Sequence, residues 1–373
     1  MPKNSAIIDG ADGADGPDGP DGPATPLAGR RRSRVRRVWR VILGGFTALV
    51  VVATVFAGVS LYNLGQDFDT QVERLVAPFP TDAAAGAPGA AAPSSTPAPA
   101  ATVAQNILLL GSDTRGTNGT SIADLRGQRS DTMMLVHIPA DRQNVFVMSI
   151  MRDSWLDIPG HGEAKINAAM SFGGVPLAVQ TVEGLLGIQI DHVAVVDFGG
   201  FSGVTDALGG VSIDNPIGFL SSKISGYTFE SGAQVLDGTQ ALAFARERYA
   251  FADGDFQRVR NQQILIRGLM KAVLTTDTIV TPGKLNGLID ALSPYLASDD
   301  GLGSAYLAGL AVELREVRYD DVTFFTMPTN GTGTSANGQS IVNIDYERLD
   351  LVKQGLQADT LAPDLPALQA LLG

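Results

Sequence analysis

Between residues 246 and 263 the chain reads RERYAFADGDFQRVRNQQ, which gathers Arg246, Arg248, Arg258 and Arg260 beside Glu247, Asp253 and Asp255 in a protein only 18% charged. Guanidinium groups stay charged at any relevant pH and grip phosphate oxygens two at a time, whereas aspartates supply the hard oxygens that Mg2+ prefers. A solvated charged helix is the other reading of such a run. Three further charged clusters favour the chemical one: GSDTR (111–115), RSDT (129–132) and MRDSW (151–155). Carboxylates with several arginines suit a polyanion held with a divalent cation, and phosphoryl transfer is catalysed mainly by positioning and charge neutralisation.

Each cluster adjoins an apolar run that reads as a buried strand: NILLLG (106–111), TMMLVHIP (132–139) and VFVMSI (145–150). Asp113 and Arg115 follow the first, Arg129 and Asp131 precede the second, and Arg152 follows the third. In an α/β sheet, ligands collect at strand ends. HVAVVDF adds a fourth strand and DVTFFTM (321–327) a fifth, while VPLAVQTVEGLLG, GGFSGVTDALGG, VLDGTQALAFARER, DFQRVRNQQILIRGLMKAVL and 346–357 read as helices, and 329–340 as a loop. The alternation predicts an α/β fold, an α-β-α sandwich around a mostly buried central sheet. If Asp255 opens its helix, Arg258 and Gln262 share one face and Arg260 points elsewhere.

Other chemistries lack their residues. The chain has no cysteine, and His137, His161 and His192 are isolated, which removes thiolate nucleophiles and leaves no histidine metal motif. Neither a GxxxxGK[ST] loop nor SxxK occurs, and GGFSGV lacks the second glycine of a nucleophile elbow. DGD (253–255) matches the loose DxD pattern of metal-dependent sugar transfer but fails as an EF-hand, because the twelfth position is Ile264. Net charge is −12, with residues 1–62 at +3 and the remainder at −15, a balance that argues against nucleic-acid binding.

The amino-terminal region differs in character. GADGADGPDGPDGPA (10–24) has glycine at every third position but reads as a low-complexity tail. RRRSRVRRVWR leads into 22 uncharged residues, 41–62, which as a helix span about 33 Å against a bilayer core of about 30 Å. The flanking arginines predict a single-pass anchor in the cell membrane, with residues 1–40 cytoplasmic and everything after the span extracytoplasmic. Residues 63–104 read as a short helical stalk and a Pro/Ala linker, 105–360 as the catalytic domain and 361–373 as a tail.

The blocks NILLLGSDTR, RSDTMMLVHI, SIMRDSW, KINAAMSFGG, DFGGFSGVTDALGGV, LDGTQALAFARER and DGDFQRVRNQQ occur in an order that resembles the LytR-CpsA-Psr family over about residues 105–275. The resemblance implies an enzyme that moves a glycopolymer from a polyprenyl diphosphate carrier to a peptidoglycan hydroxyl, through a phosphodiester, with Mg2+ (or Mn2+) as cofactor. It further implies that Asp113 and Asp131 meet the metal and that Arg129, Arg152 and Asp131 are catalytic. Arg115, Lys165, Asn167, Arg246, Arg248, Arg258 and Gln262 then hold the substrate, and apolar elements including ILIRGLM line a cavity for the lipid tail. The chain departs from the family pattern at Gln257 and Asn261, and the insertion 116–128 lengthens the loop between the two aspartates. A polyprenyl diphosphate diphosphatase, or a non-catalytic lipid-binding or regulatory protein, are the alternatives.

Overall fold

The computed structural model describes residues 65–80, 103–112, 130–274 and 282–362. All of them belong to one compact unit spanning residues 60–373. The strands in chain order are β1 (Glu73–Arg74), β2 (Gln105–Ser112), β3 (Thr132–Ile138), β4 (Val145–Ile150), β5 (Trp155–Ile158), β6 (Gly162–Lys165), β7 (His192–Asp197) and β8 (Val211–Asn215). They continue with β9 (Phe219–Leu220), β10 (Thr228–Phe229), β11 (Gly232–Leu236), β12 (Leu296–Ser298), β13 (Val322–Thr326), β14 (Thr329–Thr334) and β15 (Ser340–Ile344). The helices are α1 (Ala168–Leu186), α2 (Gly199–Ala207), α3 (Gly238–Arg246), α4 (Asp255–Val273), α5 (Pro282–Leu292), α6 (Ser304–Glu313) and α7 (Tyr346–Gln357).

Seven strands form a mixed sheet in the order β1-β12-β7-β2-β3-β4-β13. β2 runs parallel to β7 and antiparallel to β3, and β4 runs antiparallel to β3 and parallel to β13. Successive side chains in a strand point to opposite faces, so a run that is apolar throughout buries both. Leu108, Leu110, Met133, Leu135, Phe146, Met148 and Phe325 pack beneath α1 and α7. Their neighbours Ile107, Met134, Val145, Val147 and Phe324 pack on the other face with residues of α4, α5 and α6. Each fully buried side chain of this size contributes about 1.5–3 kcal/mol, and the two clusters together make the expected three layers.

A third cluster lies under the small hairpins β8–β11 and β9–β10, where Phe219, Phe229 and Phe244 meet edge to face or tilted, with α2, α3 and α4 around them. Helix α4 sits close on β8 because residue 268 is glycine; a Cβ there would lie 2.7 Å from the Ser212 carbonyl oxygen. Helix α1 is broken at Gly174, whose φ of 69° is left-handed, and Pro176 stands in the first turn beyond the break.

Three expectations are corrected. Residues 65–80 do not form a separate stalk: 65–71 are helical, Phe68, Val72 and Leu75 are buried, and β1 extends the central sheet. The stretch 329–340 contains a strand, since β14 pairs with β15 and Val342 N–H donates to Asp153 O at 2.8 Å. Leu361, assigned above to the tail, is buried against α7. Among the described residues no helix is long and apolar enough to cross a membrane, and the expected span 41–62 lies outside them.

Candidate active site

The register brings four strand termini to one edge of the sheet, because Gly111 pairs with Thr132, Ser112 with Asp197, and Met133 with Ile150. Asp131 precedes β3 there, its N–H donating to Gly111 O at 2.9 Å. Arg152 leaves the end of β4, and Phe198 the end of β7. Arg152 O accepts from Asn167 N–H at 3.2 Å, which fixes the backbone that aims the guanidinium.

The facing wall comes from the two arginine-bearing helices. Asp237 starts α3 with a capping box, accepting from Gln240 N–H at 2.8 Å while Gln240 Oε1 accepts from Asp237 N–H at 3.0 Å. Arg246 occupies the last turn, where the carbonyl end of the helix favours a cation. Asp255 opens α4, the end that favours an anion. Asn261 Nδ2 donates to Phe244 O at 3.2 Å and Gln262 Nε2 to Ala245 O at 3.4 Å, tying α4 to the end of α3. Gln257 and Asn261, the two departures from the family pattern, bond to each other: Gln257 Nε2 donates to Asn261 Oδ1 at 3.0 Å. Gln263 Nε2 donates to Ser149 Oγ at 2.9 Å and so fastens the same helix to β4.

Between the walls is a cleft of about 180 Å³. Arg152, Arg246, Arg248, Arg258 and Lys223 line it together with Asp131, Gln262, Phe198 and Tyr249. Five cations therefore face one lining carboxylate. Behind the lining, Asp255 Oδ2 accepts from Arg152 Nε at 3.1 Å and from an Arg258 terminal nitrogen at 2.9 Å, while Asp131 Oδ1 accepts from Arg152 at 2.5 Å. Burial pulls the Arg152 guanidinium down, but Asp255 and Asp131 outweigh it and its pKa is raised. Arg258 goes the other way: burial and the neighbouring cations Arg152 and Arg248 prevail over Asp255 and Asp131. Arg258 Nε is also buried with no acceptor among the described residues, an unsatisfied donor that costs about 1–3 kcal/mol until an oxygen meets it.

Arg152, Asp131, Arg246, Arg248, Arg258 and Gln262 are thus brought together. Asp113, Arg115 and Arg129 lie outside the described residues. Lys165 and Asn167 are not among the residues that line this cleft: Lys165 Nζ pairs with Asp153 at 3.2 Å, and Asn167 is buried, with its backbone N–H on Arg152 O. Arg260 turns away, half-exposed and paired with Asp253. The ILIRGLM segment is spent on packing, with Leu265 and Leu269 in one cluster and Ile266 and Met270 against another.

Four contributors were given no site role by the sequence, although Asp255 and Glu247 belong to the charged run 246–263. Asp255 carried a signal, its i, i+3 spacing from Arg258, whereas Lys223 and Tyr249 carried none. The fourth is Glu247, fully buried, whose carboxylate accepts from Ser222 N–H at 2.6 Å, Ser222 Oγ at 2.7 Å, and the N–H groups of Arg248 and Tyr249 at 3.0 Å each. Burial alone raises a carboxyl pKa, but these donors outweigh it and hold Glu247 below its ordinary 4.5. A depressed carboxyl stabilises the fold above its unfolded-state value and loses that contribution as pH falls through the folded one. Glu247→Gln is expected to cost about 1–3 kcal/mol at pH 7, and the gap from the parent protein narrows below about pH 4.5. Urea unfolding at pH 7 and pH 4 checks the sign.

Such a fold with an arginine-lined cleft at its strand ends suits the binding of a polyanion. Residues 82–358 match the model of the LytR_cpsA_psr family, and the chain belongs to that family. It is similar to the polyisoprenyl-teichoic acid–peptidoglycan teichoic acid transferase TagU of Enterococcus faecalis, 33% identical over 259 residues, covering 68% of this chain and 78% of that one. It also resembles the cell wall biosynthesis protein LcpA of Corynebacterium glutamicum, 30% identical over 290 residues, covering 67% of this chain but 55% of LcpA, so the chain spans about half the length of that relative. The solved structure of TagT bound to LI-WTA matches with a TM-score of 0.54 at 26% identity, covering 69% of this chain and 91% of that one.

Proposed function

We propose that this protein is a membrane-anchored phosphotransferase that moves a glycopolymer from a polyprenyl diphosphate carrier to peptidoglycan through a phosphodiester bond. The observation that carries the reading is the crowded guanidinium of Arg258, buried among cations in a cleft of five basic side chains, with its Nε unsatisfied among the described residues. A diphosphate supplies the missing oxygens and charge. The names of TagU and LcpA support the substrate class, in keeping with the family membership.

In the reaction a peptidoglycan hydroxyl oxygen forms a new P–O bond to the phosphorus that bears the glycan. The bond from that same phosphorus to the bridging oxygen breaks, the polyprenyl phosphate leaves with that oxygen and the bonding pair, and the hydroxyl proton is released. Arg152 and Arg258, braced by Asp131 and Asp255, donate to phosphoryl oxygens and offset the charge that grows on the leaving group. Gln262 and Arg246 complete the wall that holds the phosphates in line.

Mg2+ dependence belongs to this proposal. Among the described residues no group of three or more His, Asp or Glu gathers as metal ligands. Mg2+ at phosphate sites takes one or two carboxylates, waters and substrate oxygens, and Asp131, at the cleft with only Oδ1 bonded to Arg152, fits that mode. Asp131, together with Asp113, would hold the ion, which when bound neutralises part of the diphosphate charge.

The test is product analysis. The full chain in detergent, given a lipid-linked sugar diphosphate, Mg2+ and peptidoglycan fragments, is expected to yield a sugar–phosphate–peptidoglycan adduct and polyprenyl phosphate, with loss of turnover in EDTA. Free sugar phosphate in place of adduct would instead make it a diphosphatase, and intact bound lipid a binding protein.

A further inference from the structure

Lys223 and Tyr249 stand at the cleft outside the arginine set. Lys223 arrives in the turn between β9 and β10, and Tyr249 follows Arg248 in the chain. Both face solvent, Tyr249 being 67% exposed, and both line the cleft. Arg248 donates to Tyr249 Oη at 2.5 Å with its guanidinium 4.6 Å from the ring centroid, and Lys223 Nζ lies 5.1 Å from the same centroid. Tyr249 Oη accepts from Arg248, so the phenol's own O–H remains to donate outward.

Charge divides the cleft in two. On the inner wall, Arg152 and Arg258 share Asp255, and Arg152 also pairs with Asp131. At the rim, neither Lys223 nor Arg248 forms an ion pair with a carboxylate among the described residues. The rim is also built rather than loose. Ser221 Oγ accepts from the N–H groups of Lys223 and Ile224, both at 3.0 Å, and Ser222 is clamped by Glu247, which also holds the backbone of Arg248 and Tyr249. One buried carboxylate thereby fixes the spacing between the lysine and the tyrosine.

We infer that Lys223 and Tyr249 form a subsite for the sugar residue carried directly on the diphosphate. An ammonium and a phenol O–H side by side offer donors to an acceptor-rich ligand, and the ring oxygen, hydroxyls and acetamido carbonyl of an amino sugar are such acceptors. The adjoining arginines take the diphosphate, so the next group along the substrate falls at the rim. This assignment rests on the proposed function, since it needs the diphosphate in the cleft.

The experiment compares two ligands, farnesyl diphosphate and the same lipid diphosphate bearing N-acetylglucosamine, titrated into the full chain in detergent. Tyr249→Ala is expected to weaken the sugar-bearing ligand about tenfold, the loss of one good polar contact, and to leave the sugar-free ligand within about twofold, whereas Lys223→Gln, which also removes a cation from the cleft, weakens both ligands and the sugar-bearing one about tenfold more. Equal weakening of both ligands would make the rim a diphosphate contact and overturn the subsite, as would no weakening of either. Arg258→Ala serves as the reference and weakens both ligands; if it changes neither, the diphosphate reading itself fails and the subsite falls with it. Because both side chains face solvent, the variants are expected to melt with the parent protein.

Discussion

Arg258→Ala is expected to lower the single-turnover rate of adduct formation by at least about a thousandfold, the scale on which removing an arginine from a phosphoryl-transfer site is felt. The structure explains why this arginine matters most. Its guanidinium is 7% exposed, faces the cations Arg152 and Arg248, and has no acceptor for Nε among the described residues. Those conditions penalise the free protein and are relieved as negative charge accumulates on a phosphoryl oxygen, so the interaction strengthens toward the transition state. Arg258→Lys restores charge but not the planar fork, and is expected to recover only part of the rate. Unfolding should change little by comparison, because Asp255 still meets Arg152 in the variant. A rate within tenfold of the parent protein at unchanged ligand occupancy would remove Arg258 from the chemistry.

The sheet was legible wherever a strand buries both faces. NILLLG, TMMLVHIP and VFVMSI are apolar at successive positions because helices cover them on either side, and local sequence is enough to see that. The hairpin β14–β15 was not legible, since TNGTGT has turn composition and is ordered by its partner strand β15, which Asp153, far away in the chain, holds at Val342. The helix before β1 was read from the sequence, but Phe68, Val72 and Leu75, at i, i+4 and i+7, are buried against the sheet, which the segment's position beside a Pro/Ala linker obscured. At the site, the arginines stood out because the chain is otherwise sparsely charged. Lys223 did not, because it reaches the cleft only through the β8–β11 and β9–β10 pairings, which no local pattern in SSKISG announces. Asp255 was read as a helix opener, which it is, and its second duty appears only when Arg152 arrives from the end of β4.

That second duty separates binding from turnover. Asp255 Oδ2 holds Arg152 and Arg258 at once, so Asp255→Ala frees two guanidinium groups that repel each other and removes one negative charge from beside the diphosphate. Coulomb attraction between the cleft and an anionic ligand then rises while the orientation of both donors is lost. Affinity for a lipid diphosphate is therefore expected to stay level or tighten, and kcat to fall about 10- to 100-fold, since misplacement by about 1 Å costs on that order. Asp255→Asn keeps an acceptor oxygen and is expected to fall between the parent protein and the alanine variant. This pattern differs in affinity from the one expected for Arg258→Ala, in which ground-state affinity and rate both drop. Equilibrium titration with farnesyl diphosphate beside single-turnover kinetics distinguishes the two. A variant at Asp255 that loses affinity and rate in equal proportion would show the carboxylate to be holding the fold of the cleft, and not the aim of its arginines.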